Sequence, residues 1–435
     1  MITKDKDILR DEIMLLIEQF YANKNKLNFI PGKSKVSLME PSYNSKEVNQ
    51  VIDSLLSTRI TLNDNSSNKV SKFENLWAKY IDVKNSVMVN SGSSANLLAL
   101  FALANPTIER YIKPGDEIIT PAVTWHTTIS PIFSVGAVPV LIDVKLDDCT
   151  IDTSKIEEEI TSKTKAIMPV HLLGNASNMD SIQYLAKKYN LYVIEDTCEA
   201  HGSEFDNRKC GGLGDIGTFS FFFSHHITTM EGGMITSNND KLSELCRIMR
   251  SQGVIRNTKS REKLTEKYNQ SKKYKNFDPN YLFANLGFNL RPTELNGGFG
   301  LEQIKKIDMI LDQRRKNGKY WTNNLSKFKD FFHFPTTLSK SSSWFCFPLI
   351  IKENAPFSRN QFSQYLNSKN IENRPIMAGN VQKQPALKFF NYRSTNLKNS
   401  DLIHNNGLFW GNHQGIDINQ CKYVVNMVEG FMNSI

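Results

Sequence analysis

From residue 85 onward, short apolar runs alternate with segments of helical spacing, and no other feature of the chain restricts its fold so tightly. Val87-Met88-Val89 leads into SGSSAN and then into a segment carrying Leu97, Leu98, Leu100 and Leu103. Further strands are expected at Glu117 to Ile119, Pro139 to Ile142, Ala166 to Val170, Leu191 to Ile194, Thr218 to Phe223 and Met234 to Thr236. Helical segments at 126–135, 179–189 and 240–250 separate most of them. Strands and helices taking turns are the pattern of an α/β chain with a mostly parallel, helix-covered sheet.

The flanking segments divide the rest. Leu9, Ile13, Leu16, Ile17 and Phe20 recur at helical spacing before the break at Pro31-Gly32, which predicts an N-terminal helical extension over 1–35. Residues 256–285 are polar and basic with little periodicity and are expected to form a surface excursion. A long helical stretch runs from Glu294 to Leu325, and Trp344 to Leu349 resumes strand character. At 435 residues the chain is too long for one core. The expected division is the extension, a large domain over 36–312 and a smaller C-terminal α/β domain over 313–435.

Composition excludes several classes. A 40% hydrophobic and 10% aromatic content rules out disorder as the main state. The net charge of +9 suits nucleic acid, a membrane surface or a phosphorylated small molecule, and scattered surface lysines explain it equally well. The densest basic tract, 259–275, is broken by Glu262 and Glu266, so no nucleic-acid partner is expected. Cys149, Cys198, Cys210, Cys246, Cys346 and Cys421 are far apart with no CxxC pair, which argues against a disulfide framework and a structural metal. No apolar run approaches the ~18 residues of a membrane span, and the charged N-terminus does not read as a signal peptide. The expectation is a cytoplasmic protein without a membrane partner.

Ligands of parallel sheets sit at the carboxyl ends of the strands. Ser91-Gly92-Ser93-Ser94 follows a strand and opens a helix, where small side chains and free N–H groups favour an anion, although such residues also serve simply as caps. Asp196 ends an apolar strand, where it could equally be a cap or an ion-pair partner. His225 and His226 end an aromatic strand just before the Glu231-Gly232-Gly233 turn, with no further ligands at a metal-binding spacing.

Taken together, SGSSAN, PAVTWHTTISPI, PVHLLGN, IEDTCEAHGS, GTFSFFFSHHITTMEGGMI and GFNLRPTELNGGFGLEQI resemble the nucleotide-sugar aminotransferases of the DegT/DnrJ/EryC1/StrS type, over most of residues 36–435. The resemblance implies a fold-type I, pyridoxal-phosphate (PLP) aminotransferase-like architecture, with a mostly parallel seven-stranded sheet in the large domain. In that family a lysine five residues after the phosphate-binding serine bonds the cofactor covalently. Here Ser220 is followed at that distance by His225. A histidine in an S-H-H-x-T-T-x-E-G-G run resembles the branch of 3-dehydratases acting on GDP-linked 4-keto-6-deoxy sugars, which remove the C3 hydroxyl. RPIMAGN and GLFWGNHQ resemble it too. LRDEIMLLIEQFYANK and FIPGK instead resemble the iron-sulfur branch acting on CDP-linked sugars.

The resemblance further implies non-covalently held PLP or pyridoxamine phosphate, glutamate as amino donor and a homodimer. Ser93, Ser94 and Ser220 would hold the phosphate, with Asn289 reaching in from a second subunit. Asp196 would face the ring nitrogen, Trp125 would lie on one ring face, and Glu199 would take the place of a glutamine at the 3-hydroxyl. His225 would be the base, and His226, Arg374 and His413 are candidate sugar contacts. Because 251–290 contains no cysteine, no iron-sulfur cluster is expected. A transaminase with an unusual base and a catalytically silent cofactor-binding scaffold are the competing readings.

Overall fold

The computed structural model describes residues 5–23, 28–58, 60–62, 68–335 and 342–435. The alternation from residue 85 builds a single sheet. Its strands are β1 (Asn85–Val89), β2 (Glu117–Pro121), β3 (Val138–Ile142), β4 (Thr164–Ile167), β5 (Tyr192–Asp196), β8 (Ile216–Ser220) and β9 (Gly233–Ser237), with a short hairpin, β6 (Glu204–Phe205) and β7 (Arg208–Lys209), set apart from it. The order is β1-β9-β8-β5-β4-β2-β3-β13. Pairing is parallel except around β9, which runs antiparallel to both β1 and β8.

The sheet therefore has eight strands, one more than expected. The eighth is β13 (Arg393–Ser394), parallel to β3 and contributed by the C-terminal part of the chain. Arg393 secures it through ion pairs to Glu117 at 3.1 Å and Glu159 at 2.7 Å. Two residues carry no periodicity, so nothing local marks this strand. Two strands end three residues earlier than expected. The strand at 166 ends at Ile167, ahead of Pro169, which has no N–H for a ladder. The strand at 218 begins at Ile216 and leaves the sheet after Ser220.

Helices α4 (Gly92–Leu103), α5 (His126–Ser134), α6 (Met179–Tyr189) and α7 (Asp240–Arg250) cover the sheet. α4 is apolar nearly all round, with Ala95, Leu98, Ala99, Leu100, Ala102 and Leu103 buried, as befits a helix enclosed by its neighbours. α7 is tied to the edge by Arg247 and Arg250, each 2.7 Å from the buried Glu74 on α3 (Lys69–Ile81). Despite its burial, Glu74 is held down to about 2 by these two guanidinium groups.

Upstream lie α1 (Lys6–Ala22), on which no residue is buried, and α2 (Ser45–Leu56). The basic excursion contains α8 (Arg261–Asn269), likewise without a buried residue. The long helical stretch is α9 (Glu294–Gln303) and α10 (Ile307–Leu325), separated by a 3₁₀ turn. The remaining chain forms a four-stranded antiparallel sheet in the order β10-β11-β14-β12, from β10 (Phe332–His333), β11 (Cys346–Ile351), β12 (Asn373–Pro375) and β14 (Gly407–Gly411). It packs with α10, α11 (Arg359–Ser368) and α13 (Ile418–Met432) around Trp321, Phe347, Trp410 and Phe362, while α12 (Lys398–Asn406) places Ile403 in a separate cluster with Cys346 and Ile350. Val36 belongs to this second core and bridges to Ile371, whereas Val381, Leu387 and Leu397 pack with Ala122, Ile129 and Leu141 beside the large sheet. The chain thus crosses between lobes at both places. Among the described residues no helix is long and apolar enough to cross a membrane.

Candidate active site

A cavity of about 450 Å³ lies at the carboxyl ends of the large-sheet strands, closed on its far side by β12 and β14. One wall is the start of α4. Ser91 caps the helix, its Oγ accepting the N–H of Ser94 at 3.0 Å, and Gly92 and Ser93 line the cavity. The first turn carries no acidic residue, so its N–H groups and helix dipole face the cavity uncompensated. Ser220, at the end of β8, lies so close that a Cβ on Gly92 would sit 2.4 Å from the Ser220 Cβ. Only glycine permits that approach, which brings two strand ends and a helix start around one small polar hollow.

Asp196 forms the next wall, at the end of β5. Its Oδ2 accepts from Asn96 Nδ2 and Thr128 Oγ1, both at 2.8 Å, and Oδ1 accepts the Cys198 N–H at 3.2 Å. Three donors and no acceptor surround it, the set a carboxylate takes. The backbone on either side is fixed by bonds to Pro169 O and from His171 N, both at 3.0 Å. Trp125, at the start of α5, is 57% exposed beside the cavity, unusual for an indole unless something is to lie against it. Glu199 is buried, and its Oε2 accepts the Leu173 N–H at 2.9 Å. Burial, and secondarily the charge of Asp196, push its carboxyl up to about 8. Near neutral pH it carries a proton and can donate.

His225 completes the floor. Its ring lines the cavity and rests 5.3 Å from the ring of Phe345, while Nδ1 is buried without a hydrogen-bond partner. Burial, and the neighbouring Arg314 guanidinium, push it down to about 3, so the imidazole is neutral. Among the described residues that line the cavity there is no lysine. Arg374 of β12 reaches it from the second sheet, together with Pro375, Met377 and Phe409.

Ser93, Trp125, Asp196, Glu199, Ser220, His225 and Arg374 are therefore brought together as expected. Ser94, His226 and His413 are not. Ser94 turns back to the cap, its Oγ accepting from Ser91 Oγ at 2.9 Å. Asn289, expected at a second subunit's site, is exposed and outside this chain's cavity, its Oδ1 accepting from Arg291 Nε at 3.0 Å. His226, expected at the sugar, is fully buried and bonded to the Ser343 carbonyl at 3.1 Å. His413, also expected there, is buried against the Ser37 carbonyl at 3.1 Å. His225 and His226 lie in the turn that follows β8, where His225 lines the cavity and His226 is bonded away from it. Residues the motifs contained but the sequence did not single out are Asn96, Thr128 and Ser224. Phe345 lies in the expected strand Trp344 to Leu349 without being singled out, and Arg314 had no local signal.

Residues 41–429 match the sequence profile of the DegT/DnrJ/EryC1/StrS aminotransferase family. The chain belongs to that family. It is 38% identical over 372 residues, 85% of its length and 92% of the relative's, to the GDP-4-keto-6-deoxy-D-mannose 3-dehydratase of Escherichia coli O55:H7. It is 34% identical to the lipopolysaccharide biosynthesis protein RfbH of Salmonella typhimurium, across 97% of this chain and 98% of that one. A solved structure of GDP-4-keto-6-deoxymannose-3-dehydratase with a trapped PLP-glutamate geminal diamine superposes with a TM-score of 0.81 at 34% identity, covering 90% of this chain and 99% of that one. In this DegT/DnrJ/EryC1/StrS family member the cavity has an uncharged histidine at its floor and the N-terminus of α4 in its wall.

Proposed function

We propose that the protein is a PLP- and pyridoxamine-phosphate-dependent 3-dehydratase of a nucleotide-diphosphate-linked 4-keto-6-deoxy sugar, GDP-linked, with glutamate as amino donor and ammonia as by-product. The carrying observation is His225, a neutral imidazole where the family resemblance puts a cofactor-bonding lysine. The residues present fit the cofactor. The α4 N-terminus with Ser93 and Ser220 would take its phosphate, and the donor-only surroundings of Asp196 suit a partner for a protonated ring nitrogen. The exposed face of Trp125 would meet the ring, and protonated Glu199 would donate to a ring oxygen. When bound, the cofactor supplies an amine for the sugar's C4 ketone and a ring that accepts electrons.

The chain's own residues then handle one proton. His225 removes it as a general base and returns it to the departing C3 hydroxyl, which leaves as water. Its low position makes it less avid for protons than a free imidazole near ~6.5, and far less than a lysine near ~10.4, but correspondingly quicker to release one. The imidazole is also shorter and stiffer than a lysine side chain, so it does not carry the proton on to sugar C4, the step that would complete transamination. Phe345 and Phe409 present apolar surface that excludes water, and Arg374 is placed for a sugar or diphosphate oxygen. The family resemblance gives Asn289 a place in a second subunit's phosphate site, and its exposure leaves it free for that role in a homodimer.

The test supplies glutamate with candidate GDP- and CDP-linked 4-keto-6-deoxy sugars and follows 2-oxoglutarate, ammonia and product mass. A 3-deoxy-4-keto product formed without added iron or an electron donor is expected. An amino-sugar product, or deoxygenation that needs iron and a reductant, would overturn the reading.

A further inference from the structure

Three histidine rings stand in sequence behind the cavity floor. The far end is set by chemistry: His226 Nε2 lies 3.1 Å from the carbonyl oxygen of Ser343, which can only accept, so Nε2 carries the hydrogen and Nδ1 the lone pair. His201 Nδ1 lies 3.3 Å from that lone pair and donates to it. Burial holds both rings well below the ordinary imidazole range, so each is neutral and has one hydrogen to give. His201 Nε2 is then a bare acceptor, fully buried and without a hydrogen-bond partner, although the Ser220 carbonyl is close enough to compete for a hydrogen on this ring. The nearest histidine on its other side is His225, with ring centroids 5.8 Å apart, and His225 Nδ1 is also buried without a partner. A nitrogen that can only accept and a nitrogen that can donate are thus left over on neighbouring rings. Leaving a buried donor and a buried acceptor unmatched is costly, and pairing them with each other would satisfy both.

We propose that His201 is a positioning residue for His225. It accepts the Nδ1 hydrogen of His225 and passes the direction of hydrogen bonding through His226 to the Ser343 carbonyl. The His225 lone pair is thereby held on Nε2, the nitrogen left to the cavity. The assignment rests on the reading of His225 as the base, and it adds what makes that base usable at once: a ring in the other tautomer would present a hydrogen where a lone pair is needed. The balance closes with a single proton. Nε2 takes it up, Nδ1 keeps its hydrogen bonded to His201 throughout, and Nε2 gives the proton to the leaving hydroxyl, so His201 and His226 stay neutral. Trp77 is the rival donor within the cluster, since its Nε1 hydrogen is also unpartnered and its ring is 5.7 Å from that of His201.

The experiment records long-range proton–nitrogen spectra of the full-length, histidine-labelled protein, with His225→Asn assigning the resonance. In the wild type, His225 is expected with hydrogen on Nδ1 and a bare Nε2. His201→Phe, which suits the Trp77, Phe219 and Phe221 surroundings, is expected to mix the two tautomers and lower kcat roughly tenfold to a hundredfold with little change in KM. His201→Gln keeps an acceptor and should restore both, and Trp77→Phe should leave the His225 signal unmoved. A wild-type His225 with hydrogen on Nε2, or a His201 that donates from Nε2 to the Ser220 carbonyl, would overturn the proposal. So would a folded His201→Phe protein with unchanged tautomer. The wild-type spectrum decides even if that variant fails to fold. The expected tautomers without any deoxygenation activity would leave the arrangement standing and remove the function proposed above.

Discussion

The two sides of the cavity are built on opposite terms. On the Asp196 side each carboxylate oxygen is taken by a donor within the protein, and the α4 turn is capped and braced before any ligand arrives. On the His225 side, His225 Nδ1 and His201 Nε2 are both buried without partners, next to Arg314, a buried guanidinium bonded only to carbonyl oxygens among the contacts described, including that of Phe345 at 2.8 Å. The satisfied side is suited to holding. The unsatisfied side keeps a neutral imidazole with nitrogens not committed to the protein, which is what a group that must take up and release a proton requires.

The largest expected effect comes from breaking the unsatisfied side. His225→Asn should lower deoxygenation by about a hundredfold or more while cofactor absorbance shows that binding is kept. His225→Lys should restore covalent attachment of the cofactor and favour transamination. Undiminished deoxygenation by His225→Asn would show that the division into a holding side and a reacting side is wrong.

Breaking the satisfied side should produce the reverse signature. Gly92→Ala forces the new methyl into Ser220, whose Cβ is only 2.4 Å from the site of that methyl, and overpacking of this kind costs about 1–3 kcal/mol. Cofactor affinity, measured by titration, should fall roughly tenfold, and turnover at saturating cofactor should recover. A variant that loses turnover without losing affinity would contradict the assignment.

A smaller effect sharpens the comparison through Glu199, which belongs to the holding side yet titrates. Its carboxyl is raised to about 8 in the folded protein, so between its unfolded value of ~4.3 and 8 the native state binds more protons than the unfolded one. Stability attributable to this group therefore falls as pH rises through that window and levels off above it. Glu199→Gln keeps a donor at all pH and should flatten both the thermal-midpoint slope and the loss of cofactor affinity above about pH 8. An identical pH profile in the variant would show that Glu199 is not the group responsible.

What could be read along the chain was local. Ser93, Asp196, Ser220 and His225 stood out because strand ends and helix starts lie next to one another in sequence, and parallel strands bring those ends to one edge. His226 lies outside the cavity because adjacency to His225 does not reveal which way a side chain leaves the backbone. Arg374 and His413 are visible only through resembling motifs, and a motif does not show which of its side chains reaches the cavity. Phe345 is legible as part of a strand but not as a cavity residue, and Arg314 not at all, because their contacts are made across lobes.

The sequence by itself determined the alternation that makes an α/β sheet, the polar turn before α4, and a histidine in the position five residues after Ser220. Those are properties of neighbouring residues, which propensity, spacing and side-chain chemistry settle. Folding alone decided that β13 joins the large sheet, that Glu199 is buried near Asp196 and keeps its proton, and that His225 buries an unpartnered nitrogen on a ring neighbouring that of His201. Each of these depends on desolvation and on charges or acceptors brought together from distant parts of the chain, and the order of residues does not encode such distances until the chain has folded.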